Sequence, residues 1–149
     1  MDEASPTQGQ RRIVAAIDGS ATSRQALVRA AAEALAHDAT LEVMYAWKYL
    51  DQDHMEAFDP EYGAAEAKAW LERFVSDILP DRPEGTTIVV VNDHAARAIT
   101  EAGRGAWTVV IGSRGMGGFR GLLLGSVSQQ VVQHADSPVL VIPTEPDDD

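Results

Sequence analysis

The sequence predicts an α/β domain: a parallel sheet with helices on both faces. Three observations predict it. Short, continuous, β-branched apolar runs recur along the chain, amphipathic stretches at helical spacing alternate with them, and Gly, Pro or polar turns separate the two. A strand buried on both faces loses the in–out alternation of a half-solvated one, so continuous apolar runs point to parallel rather than antiparallel pairing. The length of 149 residues suits one domain, and a 45% hydrophobic content supplies a core. No internal repeat or domain boundary is visible between residues 11 and 143.

The elements follow in order. Arg11 to Asp18 (RRIVAAID) is a buried strand ending in a polar turn at Gly19-Ser20, with Ser20 or Ser23 as N-cap of the next helix. Ala26, Leu27, Ala30, Ala31, Ala34 and Leu35 form the apolar stripe of that helix. Thr40 to Trp47 is a second strand, and residues 48–59 are polar and acidic enough to be a loop. A helix from about Pro60 to Leu79 carries Ala64, Ala67, Leu71, Phe74, Val75 and Ile78, and Pro80 and Pro83 stop it. Thr86 to Val91 is a third strand, and Asp93 is placed to cap a helix bearing Ala95, Ala98, Ile99 and Ala102. Trp107 to Ile111 is a fourth strand, broken by Gly112. After a Gly-rich segment, Ser126 to Ala135 is a helix and Pro138 to Ile142 a fifth strand. Ligands of such sheets sit beyond the carboxyl ends of the strands, where strand order reverses. Those ends are Asp18, Ala46-Trp47, Val91-Asn92 and Gly112.

Charge narrows the function classes. Twenty-three acids against twelve Lys and Arg give a net charge of −11, which argues against a general binder of nucleic acid or anionic membranes. The absence of cysteine excludes disulfides, thiolate catalysis and cysteine metal sites. With no secretion signal and no apolar run of membrane length, a cytoplasmic protein is expected. Six acids lie in residues 1–10 and 144–149, which read as disordered solvating tails around a domain of residues 11–143. Between Ala102 and Ala135 there is no acid at all. That stretch carries Arg104, Arg114 and Arg120, with six glycines from Gly112 to Gly125. An anion would be tolerated there.

The Gly-rich segment runs GSRGMGGFRGLLLGS from Gly112 to Ser126. It is not a Walker loop, because no lysine follows Lys68. It is not the dinucleotide fingerprint, because Arg120 stands where a third glycine would be needed, and it is not a nucleophile elbow. Glycines let backbone N–H groups approach an oxyanion, and Gly125-Ser126-Val127 at a helix start would favour a phosphate. The residues alone leave a second reading open, in which Gly112 and Gly115 form a turn and Ser126 only caps its helix.

The spacing Gly112-x2-Gly115-x9-Gly125-Ser126 resembles the nucleotide-binding signature of the universal stress protein family. Ile17-Asp18-Gly19-Ser20-x2-Ser23, the run from Val109 to Gly115, and Ser137 to Pro143 resemble that family too, so the likeness spans nearly all of residues 11–143. The resemblance implies a single Rossmann-like domain with sheet order 3-2-1-4-5. It also implies ATP as ligand, with magnesium arriving on the phosphates. Carried onto this chain, Asp18 would face the ribose or adenine, Ala16 and Ile17 would flank the base, and Ala46 would offer backbone groups to adenine. Ile111 and Gly112 would pack on the nucleoside; Gly115, Gly125, Ser126 and Val127 would hold phosphates. Arg114 and Arg120 are candidates from charge placement only. The family also implies a homodimer through the last strand, Val139-Leu140-Val141-Ile142.

Two departures from the pattern stand out: Asn92-Asp93-His94 where the family has Gly, and Trp107 where it often has Asp. His37, His54, His94 and His134 form no metal pattern, and Asp51, Asp53, His54 and Glu56 do not match a calcium loop. No general base or carboxylate pair accompanies the loop, so the expected function is an ATP-binding stress-response sensor or regulator with at most slow hydrolysis. The alternatives are an interaction protein of this fold that binds no nucleotide, and a phosphotransfer or adenylyl-transfer enzyme.

Overall fold

The computed structural model describes residues 10–47, 60–113 and 124–144. Among these, the order is β1 (Arg11–Ala16), α1 (Ala21–Ala36), β2 (Ala39–Trp47), α2 (Pro60–Ile78), β3 (Thr87–Asn92), α3 (Ala95–Ala102), β4 (Thr108–Gly112), α4 (Ser126–His134) and β5 (Val139–Ile142). The strands form one sheet of order β3-β2-β1-β4-β5, and every neighbouring pair is parallel. The expected tails and the 48–59 segment, with Asp51, Asp53, His54 and Glu56, lie outside the described residues apart from Gln10 and Thr144.

Side-chain alternation along the strands builds a core on each face. Ile13, Ala15 and Ile17 of the first strand segment join Leu41, Val43 and Val110 under α1 and α2, where Leu27, Leu71 and Val75 are fully buried. Val14, Met44, Val109 and Ile111 face the other way, against Ala98 and Ile99 of α3 and Val131 of α4. Burying each large aliphatic side chain is worth roughly 1.5–3 kcal/mol. Both faces need apolar residues, which is why the strands read as continuous apolar runs.

The differences from expectation have local causes. Leu35 is 72% exposed, because the stripe facing the sheet is filled by Ala26, Leu27, Ala30, Ala31 and Ala34 and Leu35 falls past its edge. Asp93 does not cap α3. The N-cap is His94, with no side-chain cap bond. The Asp93 carboxylate instead accepts from His94 N (2.7 Å) and from Arg97 Nε and Nη2 (3.1 and 2.8 Å). Those bonds, the Arg97 guanidinium first, hold its carboxyl below the usual range. Pro138 precedes β5 rather than opening it, although its carbonyl still accepts from Val109 N at 2.9 Å. Gly112 does not break β4; it is the last residue of the strand, paired with Ile142. Asn92 ends β3, and among the described residues Asp38 is the non-glycine residue at positive φ, 53°.

The amino end of the sheet is closed by side chains. Arg12 donates through Nη1 and Nη2 to the carbonyls of Ala102 and Arg104, both at 2.8 Å, tying β1 to the end of α3. Trp107 lies 4.4 Å from the His37 ring and 5.1 Å from the Arg11 guanidinium, between centroids or to centroid. The tryptophan that departs from the family pattern therefore stands at the end of the sheet opposite the strand carboxyl ends.

Candidate functional site

Strand order reverses between β1 and β4. The chain leaves β1 for β2 on one side, and reaches β4 from β3 on the other. The carboxyl ends of these neighbouring strands are where two of the sequence motifs meet.

The first motif is a turn fixed by its own side chains. Asp18 Oδ1 accepts from Ser20 N at 2.9 Å, which holds the exposed carboxylate at the β1 exit. Gly19 has φ +89°, a conformation that favours glycine. Its N–H donates to Ser23 Oγ (3.1 Å), and Ser23 Oγ donates to Ser20 O (2.9 Å). Ser20 is the N-cap of α1, its hydroxyl accepting from Ser23 N at 3.2 Å.

The second motif comes from β4 and α4. Ser113 N donates to Ile142 O (2.8 Å), and Gly125 N donates to Ser113 O (2.7 Å), so the two ends of segment 113–125 are joined. Gly125, not Ser126, is the N-cap of α4; with φ −77° and ψ 176° it is extended, and no side chain caps the helix. Ser126 is instead the exposed first residue of the helix, followed by exposed Val127. The first turn of α4 thus begins beside the β4 end with no side-chain cap bond and no acid of its own. That is the geometry an anion requires.

Of the residues expected here, Ala16, Asp18, Gly112, Gly125, Ser126 and Val127 gather at the β1 and β4 ends. Ala46 lies at the end of neighbouring β2, half-buried like Ala16. Ile17 and Ile111 are 3% and 4% exposed and belong to the core beneath, on opposite faces of the sheet. Arg114, Gly115 and Arg120 lie outside the described residues.

The structure adds a set of buried hydroxyls. Thr22, Ser113 and Ser128 are among the few buried polar side chains, and all three sit at this end. Ser128 Oγ donates to Gly112 O at 2.7 Å, and Ser113 Oγ lies 3.3 Å from Thr144 Oγ1. Thr22 packs where a Gly112 side chain would be: a Cβ on Gly112 would meet Thr22 Oγ1 and stand 2.8 Å from Thr22 Cβ. The smallness of Gly112 thus admits the start of α1 against β4. The sequence signal was a hydroxyl residue in the first turn of each flanking helix.

The family model of the universal stress protein family matches residues 10–143. The chain belongs to the universal stress protein family. Universal stress protein Rv2623 of Mycobacterium tuberculosis is 34% identical over 148 residues, covering 94% of this chain and 48% of that relative. The chain therefore spans about half the length of that universal stress protein. The fold is similar to universal stress protein UspA from Lactobacillus plantarum, with TM-score 0.72, 22% identity, and coverage of 89% of this chain and 97% of that one. A universal stress protein solved in complex with cAMP has TM-score 0.68 and 24% identity, covering 89% and 96%. The universal stress protein from Archaeoglobus fulgidus in complex with dAMP has TM-score 0.58 and 21% identity, covering 89% and 97%.

Proposed function

We propose that this universal stress protein binds an adenine nucleotide, ATP in particular, at the β1–β4 switch point, and acts as a cytoplasmic stress-response sensor or regulator. The observation that carries the reading is the convergence of an oriented, exposed carboxylate, Asp18, with the uncapped amino end of α4 beside Gly112. Gly125, Ser126 and Val127, with Gly115 in the same loop, hold the phosphates. Ile111 and Gly112 lie beneath the nucleoside, Ala16, Ile17 and Ala46 beside the base, and Arg114 adds positive charge. Nucleotide complexes of similar folds support the ligand class.

Magnesium enters with the phosphates. Among the described residues no group of three or more His, Cys, Asp or Glu could hold a metal ion. In this arrangement Asp18 addresses the nucleoside and no general base is assigned to the phosphates among the described residues, so the expected hydrolysis is at most slow. The acidic surface disfavours polyanionic partners, and among the described residues no helix is long and apolar enough to cross a membrane.

Calorimetry with ATP and Mg²⁺ tests the reading. Asp18→Ala should weaken ATP binding about tenfold while leaving inorganic phosphate binding unchanged, the size expected when a hydrogen bond to a charged group is lost. Equal losses for the two ligands would remove Asp18 from the nucleoside.

β5 lies at a sheet edge, and Val139, Leu140, Val141 and Ile142 are each half-buried against the rest of the chain. An apolar edge strand pairs or is covered. We infer a homodimer formed by this strand from two chains. Light scattering at micromolar concentration should give the mass of two chains, and a one-chain mass would refute the pairing.

A further inference from the structure

Tyr45 is not used by the nucleotide site as described so far. Val43 and Tyr45 of β2 face the α1–α2 side, while Met44 and Ala46 face the other. Ala16 of β1 is paired with Met44, and Ile17 N donates to Met44 O at 2.9 Å, so Tyr45 stands level with the Ile17–Asp18 exit. Its ring lies 4.8 Å from that of Trp70, which stacks on Phe74 at 5.2 Å, so α2 holds the phenol from behind. Burial and the negative charge of Asp18 both push the Tyr45 hydroxyl above its ordinary pKa, so at neutral pH it is a donor lying in the field of that carboxylate. The tyrosine hydroxyl has no hydrogen-bond partner among the described residues. A protonated phenol and a carboxylate thus flank one strand exit, half-exposed and exposed.

We propose that Tyr45 and Asp18 together read the ribose of the bound nucleotide, Asp18 accepting from one hydroxyl of the 2′,3′-diol and Tyr45 donating to the other. This rests on the adenine-nucleotide reading above and adds to it a selectivity for ribonucleotides over their deoxy counterparts. Each hydroxyl of a vicinal diol can donate or accept, so one can donate to the carboxylate while its neighbour accepts from the phenol. A ligand lacking either hydroxyl leaves one of the two protein groups desolvated and unpaired.

The test compares ATP, 2′-deoxy-ATP and 3′-deoxy-ATP by calorimetry, with Trp70 fluorescence as a second readout. The wild-type protein should prefer ATP over each deoxy nucleotide by about tenfold. Tyr45→Phe keeps the ring on Trp70, so thermal unfolding should be unchanged. It should abolish discrimination against the deoxy nucleotide that lacks its hydroxyl partner, by weakening the two nucleotides that keep that hydroxyl, and Asp18→Asn should abolish discrimination against the other deoxy nucleotide. If Tyr45→Phe leaves both preferences intact, the proposal is overturned while nucleotide binding stands. If the wild-type protein binds none of the three, the nucleotide reading and this proposal fail together.

Discussion

ATP affinity should fall at least about a hundredfold in protein carrying Gly115→Val together with Gly125→Val. Gly125 is buried at the cap of α4, and its N–H closes the segment onto Ser113 O. The next N–H groups, of Ser126 and Val127, belong to the first turn, whose cap makes no side-chain hydrogen bond. A valine at the cap projects two methyl groups over that turn, separating an anion from its donors. Hydrogen bonds to a charged group are worth about 1.5–3 kcal/mol each. Losing two of them therefore accounts for the hundredfold. The cap has φ −77° and ψ 176°, ordinary extended backbone that valine also adopts, so the effect is on the ligand rather than on cap conformation. Gly115 lies outside the described residues and enters through the loop spacing alone. The single variants therefore carry separate information: Gly125→Val tests the observed helix start, and Gly115→Val tests the motif. Calorimetry with ATP and Mg²⁺ decides the matter, with circular dichroism confirming the fold. Equal affinity in wild type and double variant would sink the loop assignment.

The parts of this protein that were legible in its sequence depend on periodicity, and the parts that were not depend on partners far away in the chain. β1 shows the first case. Ile13 and Ala15 go to one core and Val14 to the other, so the run is apolar throughout, and such a run has few places to lie except inside a parallel sheet. Ser20 as cap of α1 was equally local, since its acceptor role is completed three residues on. Asp93 shows where local signals compete. A carboxylate just before a helix serves as a cap or pairs with an arginine one turn along, and here Arg97 takes it. Ser128 and Ser113 show the limit. Their partners, Gly112 and Thr144, are 16 and 31 residues away, and no spacing rule links them. Gly112 is the instructive position. Its smallness was expected as part of a loop motif, whereas the space it leaves is taken by Thr22 of α1.

That packing makes Gly112→Val the substitution with the largest expected effect on stability: a loss of about 3 kcal/mol, or about 6–12 °C in Tm at the few degrees per kcal/mol usual for chains this long. The new Cβ would stand 2.8 Å from Thr22 Cβ and 3.0 Å from the Thr22 carbonyl carbon, in addition to meeting Oγ1. Neither side is free to retreat. Thr22 is 4% exposed in the first turn of α1, which Ser20 caps. Gly112 is held by its pairing with Ile142 and by the Ser128 hydroxyl on its carbonyl. Two of the close contacts involve Cβ and backbone atoms, which no rotamer change can relieve. Thr22→Ala removes Oγ1 but leaves those two atoms, so it should rescue Gly112→Val only in part. The double variant should be clearly more stable than the sum of the single losses predicts, as residues in direct contact require. Thermal unfolding of the four proteins measures this; strict additivity, or a Gly112→Val Tm within about 2 °C of wild type, would show that the close approach is not a constraint. The same clash should reach the ligand, because pushing α1 from β4 separates the turn that orients Asp18 from the strand end at Gly112. ATP affinity in Gly112→Val should therefore drop even at temperatures where the variant remains folded, and Thr22→Ala should recover part of the affinity together with part of the stability.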